Sequence, residues 1–148
     1  MNTVNRLSLS YLLAALLLGL LVPVSAEQSE NKWDKVVFHL DETRNARWAL
    51  MLARSYLEDV PTAKIVFVTY GPGVDFLLED AKDHRDNPYD YAILRLVEQG
   101  VDFRVCNATI TARQINKTDL LEGVKVVPSG ISEIARLQLK EGFAYLKP

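Results

Sequence analysis

Two short runs rich in β-branched and aromatic residues, Val36-Val-Phe-His-Leu40 and Lys64-Ile-Val-Phe-Val-Thr-Tyr70, flank a stretch with helical periodicity, and this order constrains the fold more than any other feature. Both runs read as buried strands. Between them Ala46, Ala49, Leu50, Ala53, Tyr56, Leu57 and Val60 recur at three- and four-residue spacing, with Arg54 and Glu58 interposed, which predicts a helix with one apolar face. Strand, helix and strand in succession form a parallel crossover unit, whose sheet must be covered on its faces by helices.

The pattern continues to the end of the chain. After Gly71-Pro-Gly73 comes a short helical candidate, Val74 to Glu79, and then a charged loop from Asp80 to Pro88. A helix is expected over Tyr89 to Gln99, closed by Gly100 in the left-handed conformation. Val101 to Cys106 alternates apolar and polar residues as a third strand. Short helical segments are expected at Thr111 to Ile115 and Thr118 to Leu121, and Val124 to Val127 reads as a fourth strand. Pro128-Ser-Gly130 turns into a last helix, Ile131 to Glu141, and Phe143 to Leu146 supplies a terminal strand. The sum is a three-layer α/β/α domain with a mainly parallel sheet, flavodoxin-like in build.

The first 26 residues differ from the rest. Arg6 is their one basic residue, no acid is present, and Tyr11 to Val22 is uncharged and apolar. Pro23 and the small residues of Val24-Ser25-Ala26 complete the pattern of a secretory signal peptide cut after Ala26. The expected organisation is therefore a signal peptide over 1–26 and a single domain over 27–148, periplasmic, with no stable membrane span once the signal is removed. Without those residues the chain holds 16 Lys+Arg against 19 Asp+Glu, a formal charge of −3. No basic cluster offers the phosphate contacts on which nucleic-acid binding depends, so that class of partner is excluded. Cys106 is the only cysteine, so no internal disulfide forms even in an oxidising compartment.

Ligands of open parallel sheets bind outside the carboxyl ends of the strands. Those ends carry His39, Asp41 and Glu42, then Tyr70 to Gly73, then Cys106 and Asn107, then Ser129 and Gly130. Cys106 is either a thiolate favoured by a following helix N-terminus or a small hydrophobe packed at a strand end. Arg113 is placed to assist a sulfur anion or is simply solvated. Gly71, Pro72 and Gly73 either cradle an anion or make the tight turn that leads from strand to helix. Ser129 reads as a helix N-cap rather than a nucleophile. His39 near Asp41 orients a substrate, tunes the thiol or is a satisfied structural histidine. One His, one Asp and one Cys without repeated ligand spacing give no metal site. His84 falls in the solvated loop, Trp48 is core or subunit interface, and Asn107-Ala-Thr109 and Asn116-Lys-Thr118 match the glycosylation sequon.

Val37-Phe-His-Leu-Asp-Glu42 with Ala46-Arg-Trp48, Val68-Thr-Tyr-Gly-Pro-Gly-Val74, Gly100-Val-Asp-Phe-Arg-Val-Cys106, Val126-Val-Pro-Ser-Gly130 and Gly142-Phe-Ala-Tyr-Leu146 together resemble the DsrE/DsrF-like family. The ordered set spans nearly all of the chain after the signal, and it resembles an exported branch of the family. The resemblance implies a three-layer α/β fold, assembly into homo- or hetero-oligomers, and a cysteine in the region of Cys106 that carries sulfur as a persulfide to a partner. Only Ala108 and Arg113 have counterparts of the alanine-rich, arginine-containing helix that follows this cysteine in sulfur-relay members. The expectation is that Cys106 is a nucleophile relaying sulfane sulfur from a donor to an acceptor protein, with no cofactor. The amides of Asn107 and Ala108 would stabilise the anion, and Gly71, Gly73, Ser129 and Gly130 would shape the pocket. A non-catalytic anion-binding module on the same rim and an oligomeric structural protein are the alternatives.

Overall fold

The computed structural model describes residues 34–148, so the expected signal peptide lies outside the described residues. Five strands form one sheet: β1 (Lys35–Leu40), β2 (Lys64–Thr69), β3 (Asp102–Cys106), β4 (Lys125–Val127) and β5 (Ala144–Leu146). Their order is β4-β3-β2-β1-β5, and every pairing is parallel. Four α-helices, α1 (Ala46–Asp59), α2 (Asp90–Glu98), α3 (Asn107–Ala112) and α4 (Gly130–Glu141), alternate with the strands. This is the α/β/α architecture that the strand-helix-strand order predicts.

Because side chains alternate across a strand, each strand feeds two different faces. One face carries Phe38, Phe67 and Phe103, which stack across β1, β2 and β3 with ring centroids 5.0 and 4.7 Å apart. On it α1 lays Ala46, Ala49, Leu50 and Ala53, and α2 lays Ile93 and Leu96. The alanines let α1 approach closely, and each buried phenylalanine contributes about 1.5–3 kcal/mol in removal from water. The other face carries Val37, Val66 and Val68, covered by Ile134 and Leu137 of α4 and by Phe143. α4 starts at Ser129, whose Oγ accepts from the Ser132 amide at 3.3 Å, as an N-cap should.

Three short elements depart from the sequence expectation. The Val74 to Glu79 helix is a 3-10 segment, Gly71–Leu77, because Leu78 leaves it in extended conformation to bridge Leu120. The Thr118 to Leu121 helix is likewise a 3-10 turn, Lys117–Asp119, which ends where Leu120 joins that bridge. The helix expected at Thr111 to Ile115 instead begins at Asn107, directly on the end of β3, and stops at Ala112. Gly100 has φ +88° after α2, as expected of its position. Among the described residues no helix is long and apolar enough to cross a membrane.

Candidate functional site around Cys106

β3 ends at Cys106, and Cys106 is itself the N-cap position of α3. Its side chain shares a face with Arg104, which pairs with Glu133 of α4, so the sulfur lies on the α4 side of the sheet. There the first turn of α4 comes against it: a methyl group on Gly130 would stand 3.3 Å from Cys106 Cβ and 3.0 Å from Cδ1 of Tyr70. Glycine at 130 therefore permits the backbone of α4 to approach the thiol and the Tyr70 ring together.

The two readings of Cys106, reactive thiolate and packed small hydrophobe, differ in what surrounds the sulfur. Cys106 is only 6% exposed. The wall around it is nevertheless polar. Burial pushes the thiol pKa up, but hydrogen bonding from the Gly130 amide, the Thr109 amide and hydroxyl and the Ala108 amide outweighs it, so the net direction is down. A thiolate is the reactive form of cysteine, and donors fixed by backbone are the means by which proteins favour it. The thiol thus combines low exposure with an environment suited to negative charge.

The supporting residues are shared out differently from the sequence reading. Thr109, which the sequence reading passed over, both acts on the sulfur and accepts from the Gly71 amide at 3.0 Å, joining the β2 turn to α3. Its signal was its place three residues after Cys106, where an N-cap residue faces the first helical turn. The Asn107 side chain turns along α3, its Nδ2 donating to Thr111 Oγ1 at 3.5 Å. Arg113 does not assist the sulfur either, because its guanidinium pairs with Asp75 at 2.6 Å and donates to the Gly71 carbonyl at 3.0 Å.

Gly71, Pro72 and Gly73 take the turn role. The Gly73 amide donates to Asp41 O and Tyr70 O, and a Cβ on Gly73 would fall 2.3 Å from Leu40 O, so the turn is pressed against β1. The Pro72 carbonyl accepts from Thr43 Oγ1 at 2.5 Å. None of these groups is left to cradle an anion.

His39 is buried on the same face, one step inside the rim. Its Nδ1 lies 2.7 Å from the Tyr145 hydroxyl of β5, its ring is 4.6 Å from that of Tyr70, and Nε2 finds no partner among the described residues. Burial lowers the His39 pKa, against the pull of Asp41. Asp41 is committed elsewhere, to Lys147 at 2.6 Å, which holds its carboxyl below the ordinary range. Tyr145 is a second residue absent from the sequence expectation, since nothing local marks a β5 tyrosine as a partner for β1. His84 is solvent-exposed, and Trp48 stands 55% exposed on α1, not in the core. No group of three or more His, Cys, Asp or Glu able to hold a metal occurs among the described residues.

The molecule is thus an α/β domain with a lone, buried thiol at the carboxyl edge of a parallel sheet. The chain belongs to the DsrE/DsrF-like family, whose model matches residues 34–148, and that family is linked to sulfur relay. A protein of unknown function from Methanobacterium thermoautotrophicum, MTH1491, is similar in structure, with a TM-score of 0.67 and 38% identity over 76% of this chain and 97% of its own. The ychN protein from E. coli has a TM-score of 0.67 at 18% identity, covering 78% of this chain and 99% of its own. A conserved protein of unknown function from Bacteroides thetaiotaomicron, BT1422, has a TM-score of 0.55 at 20% identity, covering 78% and 95%. Among curated proteins nothing matches.

Proposed function

We propose that the protein is an exported sulfur carrier in which Cys106 accepts sulfane sulfur, holds it as a persulfide and passes it to an acceptor thiol. The observation that carries this reading is the place of Cys106, at the carboxyl end of β3, at the N-cap position of α3 and against the first turn of α4, where the net direction of its pKa is down. Family membership supports the same chemistry. With thiosulfate as donor, the Cys106 thiolate attacks the outer sulfur. The S–S bond of thiosulfate breaks, sulfite leaves with the bonding pair, and Cys–S–S⁻ remains. An acceptor thiolate then attacks the terminal sulfur, forming R–S–S⁻ and returning the Cys106 thiolate. Neither step needs an external oxidant or reductant.

The low exposure of Cys106 fits a carrier whose persulfide must be kept from solvent between donor and acceptor. It also requires that either small donors enter beside Asn107 and Ser129, which are partly exposed, or the rim opens on contact with a partner. The apolar residues Ile131 and Leu139, exposed on α4, support assembly with further copies of the chain. The signal-like residues 1–26 support action in the periplasm.

Intact-protein mass spectrometry after incubation with thiosulfate or polysulfide tests the central step. Wild type should gain the mass of one sulfur atom, removed by a reducing thiol, and Cys106→Ser should gain none. An unmodified wild type, or an equal gain in the serine variant, overturns the proposal. Sequencing the N-terminus of protein recovered from the periplasm should read from Glu27, and an intact leader on protein retained in the cytoplasm would contradict export.

A further inference from the structure

His39 is the buried titratable group that the sulfur chemistry above leaves without a task. It is 5% exposed, and its Nε2 has no hydrogen-bond partner among the described residues. A side chain present only to fill space would be cheaper as Leu or Phe, because an unsatisfied buried polar atom is destabilising. The ring is also held in a definite attitude. Tyr145 Oη, 2.7 Å from Nδ1, fixes its orientation from β5, and its face meets the Tyr70 ring at 4.6 Å with the planes 35° apart.

Tyr70 in turn lies against the start of α4. A Cβ on Gly130 would meet Tyr70 Cδ1 at 3.0 Å, Cys106 Cβ at 3.3 Å and Tyr70 Cβ at 3.4 Å, so ring and cysteine both lie against the start of α4 with no room for a side chain there. Hydrogen bonding from the Gly130 backbone is among the causes that lower the Cys106 pKa. A shift of a few tenths of an ångström in the Tyr70 ring is therefore a shift in the backbone that faces Cys106, since close-packed groups transmit displacement.

We propose that His39 is a positioning residue for Cys106: its ring, oriented by Tyr145, sets the Tyr70 ring and thereby how the first turn of α4 sits against the cysteine. The inference rests on Cys106 being the working thiol, and it assigns His39 a role in preparing that thiol, not in binding substrate. Asp41 and Lys147 are the charged groups that act on His39, and they are paired with each other; Tyr70 and Tyr145 are its hydroxyl-bearing neighbours.

The test is the pH dependence of Cys106 alkylation by iodoacetamide in variants whose fold is verified by circular dichroism and thermal melting. His39→Ala should move the alkylation midpoint up by about half a pH unit, the scale of weakening one hydrogen bond to the thiolate. At neutral pH it should slow the reaction about threefold. His39→Phe, which keeps a ring face against Tyr70 but loses the Tyr145 contact, should recover part of that shift. Tyr70→Leu should reproduce the alanine result and serves if His39→Ala does not fold. A folded His39→Ala or Tyr70→Leu protein with the wild-type profile overturns the assignment. Alkylation reports on the thiol alone: a shifted profile in a protein that never accepts sulfur sinks the carrier reading and leaves the positioning role, and the converse result sinks only the positioning role.

Discussion

On the face covered by α1 and α2, Phe38, Phe67 and Phe103 stack across three strands under a continuous layer of buried apolar residues. On the face covered by α4, the apolar cluster is far smaller, and it is bordered by His39, Tyr70, Cys106 and the Asp102–Arg104–Glu133 ion pairs. The two faces are one residue apart along each strand, so the same backbone carries both. One supplies most of the burial that offsets chain entropy, and the other holds groups whose placement costs stability. The contrast implies that stability and thiol chemistry can be altered separately by choosing the face.

The largest expected loss is on the dry face. Phe67→Ala removes the middle ring of the stack and should lower unfolding free energy by about 4 kcal/mol in urea titration. The thiol of the fraction still folded should alkylate with the wild-type pH profile. A changed profile would show that the faces are coupled through the sheet and would break the comparison.

A smaller loss is expected from the polar face. Arg104 is 18% exposed and bonds Asp102 at 2.7 Å and Glu133, while Lys125 reaches Asp102 at 3.1 Å and Arg136 reaches Glu133 at 2.8 Å. Hydrogen bonds from Arg136 and then Arg104 hold the Glu133 carboxyl below the ordinary carboxylate range despite its burial. Arg104→Leu leaves two carboxylates short of a cation, which should destabilise by about 2 kcal/mol, less than a fully buried pair because Lys125 and Arg136 remain. Adding Glu133→Gln should restore part of that loss in the same titration, and no restoration would mean that Arg104 acts through packing alone.

Gly130→Ala sharpens the comparison further, because stability and chemistry should separate within one substitution. The added methyl group meets Tyr70 and Cys106 at 3.0 and 3.3 Å, a crowding worth about 1 kcal/mol. Its larger effect should be slower alkylation of Cys106 at neutral pH, as the α4 amide is pushed off the sulfur. Equal alkylation rates in wild type and variant would remove the Gly130 amide from the list of groups that favour the thiolate.

The sheet was legible in the sequence because its information is local. Val36–Leu40, but for His39, and Ile65–Val68 are apolar, as strands covered on both faces must be, and α1 declares itself by spacing. The boundary at Cys106 was not legible, since β3 passes into α3 with no glycine or proline between them. The site was half legible for a related reason. Rim residues follow from strand ends, but partners joined across the chain do not: Tyr145 meets His39 across 106 positions, and Arg113 is drawn to Asp75 and Gly71 instead of the sulfur. Such pairings depend on which strands become neighbours, and the terminal strand could not be placed beside β1 from its three residues alone.

The smallest expected effect is the pH dependence that His39 gives to stability. In the folded protein burial lowers its pKa from 6.5, with Lys147 adding to that direction and Asp41 opposing it. The unfolded chain therefore binds the proton more readily than the folded one. Between the ordinary value and the lower folded value, protonation draws the equilibrium toward the unfolded state. The neutral ring's contribution is complete above pH 6.5 and declines as pH falls through the folded pKa. Thermal melts should accordingly lose temperature on acidification below that point while carboxylates are still ionised, and His39→Phe should flatten the decline. Because the imidazole lies on the α4 face, Phe67→Ala should lower the whole curve without changing its slope in that window, and a changed slope would show that the dry face sets the burial of His39 as well.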